Sequence, residues 1–350
     1  MKKFSRYFIV FSLFIYGVNF GQPSSLTDQQ KAFLITKISD LIKTKYVFPQ
    51  RTKKITQYLQ RQQSSIEFKT AESPAQFAKT VNQYLRTASN DLHLWVGFNR
   101  KEAASHQTSN YATYLEQKAK SKNYGFQKVE ILEGNVGYLR MSHFYNPRYS
   151  EKTLASALHF LSNCDALILD LRKNSGGNLN MVNTLDSYFF GRAPVLTHRI
   201  YYRSGYEQEV YTLEKLKGKR LPNISLYVLV DRNTASAAEQ VAYNLKHLNR
   251  ATLVGEVTMG TANTGLRHSL DDHLYIFIAN GEYENDATRD TFEHKGVIPQ
   301  VQTTSLEALQ KAHILALKLQ LKQCAEKKQK KKLNRLIRKV RRSAVNYKID

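Results

Sequence analysis

The spacing of apolar and polar positions changes along the chain, and the changes divide it into regions. Over residues 26–88 the spacing is helical. LTDQQKAFLITKISDLIKTKYVFP carries Phe33, Leu34, Ile38 and Leu41 on one face, and Pro49 stops the run. ITQYLQRQQSSI and SPAQFAKTVNQYLRTAS repeat the amphipathic pattern, the second behind a Ser-Pro start. The pattern predicts a small N-terminal unit of three helices, since a loose polar linker would not keep so regular a period. LHLWVGF at 92–98 then alternates as a half-buried strand does, and the polar stretch 99–123 reads as a loop.

From Gly125 the pattern becomes α/β. KVEILEGNVGYLRMSHF predicts two strands around the turn EGN, and ALILDLR (166–172) is a continuous apolar run of the kind buried on both faces of a parallel sheet. SLYVLVDR and ATLVGEV are two further runs with the helix AAEQVAYNLKHL between them, a β-α-β unit, and LYIFIAN is another strand. From Leu306 the chain reads as one long helix. Its first half is amphipathic, and its second half is mostly Lys and Arg with Leu333, Leu336, Ile337 and Val340 on one stripe.

Composition adds an address and a charge asymmetry. MKKFSRYFIVFSLFIYGVNFGQ sets Lys2, Lys3 and Arg6 before an apolar stretch and a small residue, the layout of a secretory leader cleaved near Gly21–Gln22. A retained anchor fits less well, because Ser12, Gly17 and Asn19 interrupt a short stretch. The expectation is a soluble mature protein, periplasmic or secreted. The net charge is +23, or +20 without that leader, and residues 311–350 alone carry +12. More than half of the excess therefore lies in the tail. A nucleic-acid enzyme would carry its basic surface around the site, so the globular part does not read as one, and no specific nucleic-acid partner is expected. The basic tail reads either as a solvated end or as a helix for acidic phospholipid or another polyanion. Two cysteines make no disulfide framework, and Cys164 reads as a small buried apolar residue. The divisions expected are a leader at 1–21, helices at 22–90, an α/β core at 91–305 and a basic tail at 306–350. Nothing in the sequence fixes the oligomeric state.

Two stretches could carry chemistry. In DLRKNSGG (170–177) a buried strand ends in a turn with paired glycines, which bring backbone N–H groups close to a ligand. Asn178 and Leu179 follow where a phosphate loop needs Lys and Ser/Thr, so the turn suits an oxyanion, or serves only as a tight turn. In NTASAAE, Ser236 falls between a strand and a helix, where a serine is either a raised nucleophile or a helix N-cap. A nucleophilic serine needs a base. His93 in SNDLHLW sits beside an acid at a strand start, with His143 and His294 as competitors. The Tyr-rich stretch 199–220 is a substrate-facing insertion whose Arg199, Arg203 or Lys215 would pair a peptide carboxylate, or an exposed hairpin. No metal or cofactor is called for.

DLRKNSGG, VDRNTASAAEQVAY, RATLVGEVTMGTANT and FEHKGVIPQV, in this order, resemble the family of C-terminal processing peptidases, with tricorn protease and interphotoreceptor retinoid-binding protein. The resemblance covers about residues 125–304, with NDLHLWV and KYVFP upstream. It implies a crotonase-like (ClpP-like) core of ββα units and a catalytic serine at Ser236. One branch pairs that serine with a lysine, but Thr261 stands at the lysine's position. The tricorn-like branch uses a histidine that falls on His93 and a glutamate that falls on Glu293. The implied activity is serine-type hydrolysis of proteins or peptides, with Gly176, Gly177 and Ala237 supplying backbone donors to the oxyanion. Two departures stand out: Gln300 replaces the usual acid after Gly-Val-x-Pro, and residues 99–123 are too short for a PDZ domain. The alternative on the same fold is a non-catalytic module binding a hydrophobic ligand or a peptide.

Overall fold

A computed structural model describes residues 25–98 and 111–343, so the leader-like segment 1–21 lies outside the described residues. Helices α1 (Asp28–Lys45), α2 (Pro49–Gln62), α3 (Ile66–Lys69) and α4 (Pro74–Ser89) come first among the described residues. Thr27 and Ser73 close capping boxes with Gln30 and Gln76, which fix the starts of α1 and α4. Pro49 ends no helix but opens α2, at the first position where its missing N–H costs nothing. The short α3 makes this unit four helices rather than three. The buried face of α1 is Leu34, Ile35, Ile38 and Ile42, while Phe33 is exposed.

Strand β1 (Trp95–Phe98) follows, and a helix, α5 (Tyr111–Ser121), lies where the polar sequence suggests only loop. Next come β2 (Phe126–Leu132), β3 (Val136–Met141), α6 (Pro147–Phe160), β4 (Ala166–Asp170) and α7 (Leu179–Ser187). The hairpin β5 (Leu196–Tyr202) and β6 (Glu207–Tyr211) precedes β7 (Ser225–Val230), α8 (Ala237–His247) and β8 (Ala251–Gly255). The chain continues through β9 (Thr264–Ser269), β10 (Leu274–Asn285), β11 (Val301–Gln302), α9 (Ala308–Gln323) and α10 (Lys327–Arg342).

The central sheet has the order β11-β8-β7-β4-β3-β2, parallel except for the β2–β3 hairpin. Its continuous apolar runs follow from cover on both faces. Leu167, Leu169, Val228 and Val230 join one core with α6, α7 and α8, whereas Ala166, Ile168, Tyr227 and Leu229 join another with α9 and α10. The second sheet is antiparallel, with β10 pairing β1, β5 and β9. Its Leu274, Ile276 and Ile278 pack against α1, α2 and α4. The N-terminal helices therefore share their core with a strand nearly two hundred residues later, and the boundary near residue 90 separates sequence but not packing.

The tail is two helices instead of one. The helix breaks at Cys324–Glu326, and α10 folds back so that Gln310 Nε2 donates to the Val340 carbonyl at 2.8 Å. Leu333, Ile337 and Val340 are buried in the sheet's outer core. The apolar stripe thus belongs to the fold, and the basic side of α10 faces solvent. Cys164 is buried and both cysteines are free.

Candidate active site

The parallel strands β4 and β7 are neighbours, so their carboxyl ends deliver two turns to the same edge of the sheet, the usual place for a site in such folds. The turn after β4 is held to the turn after β7 at several points. Lys173 N–H donates to Asp231 Oδ1 at 3.0 Å, Ala235 N–H to the Asn174 carbonyl at 2.9 Å, and Thr234 Oγ1 to the Leu171 carbonyl at 2.9 Å. Asn174 is fully buried. Its Nδ2 donates to the Met141 carbonyl and its Oδ1 accepts from Gly176 N–H, each at 2.9 Å.

Ser236 stands at the tip of the second turn with φ 54° and ψ −124°, a conformation that L residues adopt at a cost of about 1–3 kcal/mol. It is half-buried. Its backbone N–H lies 2.8 Å from Glu239 Oε2 and 2.7 Å from Thr261 Oγ1. Glu239, fully buried, also accepts from Thr258 Oγ1 (2.5 Å), Gly260 N–H (2.6 Å), Thr261 N–H (2.9 Å) and Thr261 Oγ1 (2.6 Å). This one carboxylate clamps the loop after β8 onto the serine turn. Thr261 is part of that clamp and holds the backbone of Ser236. The sequence carries the signal in Ser-Ala-Ala-Glu, the spacing of a capping box.

Gly176 packs against the serine so closely that a side chain there would begin 2.9 Å from both Ser236 Cβ and Ala237 N. The expectation for the oxyanion donors is corrected at this residue, because Gly176 N–H is taken by Asn174. Gly177 N–H and Ala237 N–H have no acceptor among the described residues. Gly177 is exposed, and Ala237 opens α8, where the helix dipole favours negative charge.

Glu293 reaches the same edge from the segment after β10. Its Oε2 accepts from Ala262 N–H at 2.5 Å and Asn263 N–H at 3.1 Å, and its Oε1 lies 3.7 Å from His294 Nε2. Burial and then the Asp91 carboxylate push its carboxyl up to about 7. Asp91 organises the approach to His93. Its Oδ1 accepts from His93 N–H at 2.6 Å, and its Oδ2 from the Tyr46 hydroxyl at 2.7 Å. The His93 ring is buried against Phe277, and burial lowers its pKa while Asp91 opposes the shift. Among the described residues, His93 Nδ1, Glu293 Oε1, Thr264 Oγ1 and both polar atoms of the Asn263 side chain are buried without hydrogen-bond partners. Leaving such a group without any partner costs about 1–3 kcal/mol.

The structure thus brings Gly176, Gly177 and Ala237 to Ser236, and couples Asp91, beside His93, to Glu293. Among the described residues no side chain hydrogen-bonds to Ser236 Oγ. Arg199 is held by Glu207, Glu209 and Asp286, and Arg203 donates to the Lys43 and Tyr46 carbonyls. Both guanidinium groups serve joints of the fold, and the stretch containing them is a β-hairpin; Lys215 is exposed beyond it. Gln300 takes the place of the expected acid and accepts from Leu253 N–H at 2.8 Å, tying its segment to β8.

A strained serine thus stands between a parallel strand and a helix, with two N–H groups beside it that have no acceptor among the described residues. Residues 135–303 match the model of peptidase family S41, and residues 26–130 match the N-terminal domain of peptidase S41 in eukaryotic IRBP. The chain belongs to peptidase family S41. It is 35% identical over 168 residues to the carboxyl-terminal-processing protease of Synechocystis, a match that covers 47% of this chain and 37% of that protein. The chain spans about a third of the length of the curated relatives it matches. Its fold resembles a lipoprotein of Streptococcus agalactiae (TM-score 0.57, 16% identity, 86% of this chain and 98% of that one). It also resembles the photosystem II D1 C-terminal processing protease (TM-score 0.50, 15% identity, 80% of this chain and 94% of that one). These two likenesses concern the fold alone.

Proposed function

We propose that the protein is a serine-type endopeptidase that hydrolyses protein or peptide substrates at Ser236. The observation that carries this reading is the strained Ser236 turn, with the free N–H groups of Gly177 and Ala237 beside it. Ser236 Oγ attacks the scissile carbonyl, and the negative oxygen is held by those two N–H groups. His93 takes the Oγ proton and returns it to the leaving amine. Its depressed pKa keeps it neutral near pH 7, as a general base must be. Hydrogen bonds of this kind often tighten only once substrate is bound, which suits a serine whose hydroxyl holds no side-chain partner here. Glu293 supports the network. Thr261 leaves no lysine to act as base, which favours the histidine.

The succession β2-β3-α6, followed by β4-α7 and β7-α8-β8, supports a crotonase-like description of the core. The leader-like N-terminus supports export to the periplasm or beyond. The outward basic side of α10 supports contact with an acidic phospholipid surface; its apolar stripe is used in the core, so the contact would be electrostatic.

The test is hydrolysis of an unstructured protein such as casein by purified chain. Wild type should cleave, and Ser236→Ala and His93→Ala should each lose at least about 10³-fold in kcat. A wild type without activity would turn the reading to the binding module.

A further inference from the structure

A histidine to which the proposed proton transfer gives no role stands beside the serine turn. His143 follows β3, and its segment is joined to the glycine turn. Phe144 N–H donates to the Gly176 carbonyl and Asn178 N–H to the Phe144 carbonyl, each at 2.8 Å. The imidazole is fixed from two sides: Nδ1 is 3.2 Å from Ser175 Oγ, and the Tyr145 ring packs edge-on at 4.8 Å. Nε2 hydrogen-bonds to nothing among the described residues. It lies 3.0 Å from the point where a Gly177 side chain would begin. The matching point on Gly176 is 2.9 Å from Ala237 N and from Ser236 Cβ. His143 Nε2 therefore comes up beside the glycine whose N–H is free, one residue from the glycine that touches the nucleophile.

Which ring nitrogen carries the proton follows from Ser175. If its hydroxyl donates to Nδ1, the single proton of the neutral ring is on Nε2 and faces the notch. Burial, then the positive charges of Arg267 on β9 and Lys118 on α5, hold the His143 pKa below its ordinary value, so the ring is neutral at pH 7. Gly177 supplies the room, since any side chain there would begin 2.1 Å from the Phe144 carbonyl oxygen.

We propose that His143 is a third oxyanion donor, a neutral imidazole whose Nε2–H, set by Ser175, joins the N–H groups of Gly177 and Ala237. The inference rests on the peptidase reading. As the Oγ–carbon bond forms, the carbonyl π pair moves onto oxygen, and the Oγ proton passes to His93. His143 donates a hydrogen bond to that oxygen and gives up no proton. When the pair returns, the carbon–nitrogen bond breaks, and the amine leaves with the proton from His93.

The experiment compares wild type with His143→Ala, His143→Gln and Ser175→Ala, in kcat and KM on one fluorogenic peptide, with thermal melting to confirm folding. Loss of one such donor predicts a fall of about 10²–10³-fold in kcat for His143→Ala, with KM changed less than about threefold. His143→Gln, which keeps an N–H near the same point, should recover at least about tenfold of that loss. Ser175→Ala, which frees the tautomer, should fall between it and wild type. A folded His143→Ala with wild-type kcat, or a loss confined to KM, overturns the inference and leaves the peptidase reading intact. Should His143→Ala fail to fold, a His143→Gln no better than Ser236→Ala, or a Ser175→Ala equal to wild type, overturns it in the same way. A wild type that does not hydrolyse overturns both.

Discussion

Ser236 is both the residue that caps α8 and the proposed nucleophile, and the sequence alone leaves it open between the two. It caps α8 with Glu239, and it holds the strained backbone that raises its hydroxyl. NTASAAE places the serine between strand and helix, but only the folded turn gives its positive φ. The glycine pair was legible too, although its division of labour was not. Gly176 gives closeness and Gly177 gives the free N–H, because a buried asparagine two residues before Gly176 takes the Gly176 N–H. Arg199 and Arg203 look available in sequence, since the carboxylates and carbonyls that occupy them come from remote segments. Glu293 carries a prediction about pH. Its carboxyl titrates near 7 in the fold against an ordinary 4.5, so between those values the folded chain holds a proton that the unfolded chain has lost. Stability from this residue is full below pH 4.5 and falls as the pH rises to 7. Glu293→Gln cannot ionise. Its stability should match wild type near the acid end and exceed it at about pH 8 by at most about 3 kcal/mol, seen as a higher melting temperature there. An equal difference at both pH values in thermal melts would deny the raised carboxyl.

Among the elements, α8 and the loop after β8 depend on each other through Glu239. Removing this carboxylate leaves several buried donors without an acceptor, each costing about 1–3 kcal/mol. Glu239→Ala should therefore destabilise by more than about 3 kcal/mol in urea unfolding, and hydrolysis should go with it. A loss under about 1 kcal/mol would mean the clamp is not formed. The strands of the parallel sheet were readable because burial on both faces leaves unbroken apolar runs. The helix α5 was missed because its described exterior is almost wholly polar. The break in the tail was missed as well. Helical spacing continues across Cys324–Glu326, and what turns α10 back is the sheet face waiting for Leu333, Ile337 and Val340.

At the scale of the molecule, three cores divide the chain. One packs α6, α7 and α8 against the central sheet, the second packs the N-terminal helices against β10, and the third mounts α9 and α10 on the other face of the central sheet. That arrangement leaves Lys327, Lys328, Lys331, Arg335, Arg338 and Arg342 exposed, and any polyanion contact would be screened by salt. Co-sedimentation with vesicles containing anionic phospholipid should be seen at low ionic strength and lost at about 0.5 M salt. Reversing Lys331, Arg335 and Arg338 to Glu should abolish it while hydrolysis continues. Binding that survives both changes would place the contact elsewhere.

The most direct test of the central claim is covalent. A serine-directed fluorophosphonate should attach to the full chain at Ser236, found by peptide mass spectrometry, and His93→Ala should slow the attachment at least about 10²-fold. A wild-type chain that stays unlabelled at Ser236, or is labelled as fast without His93, would contradict the account.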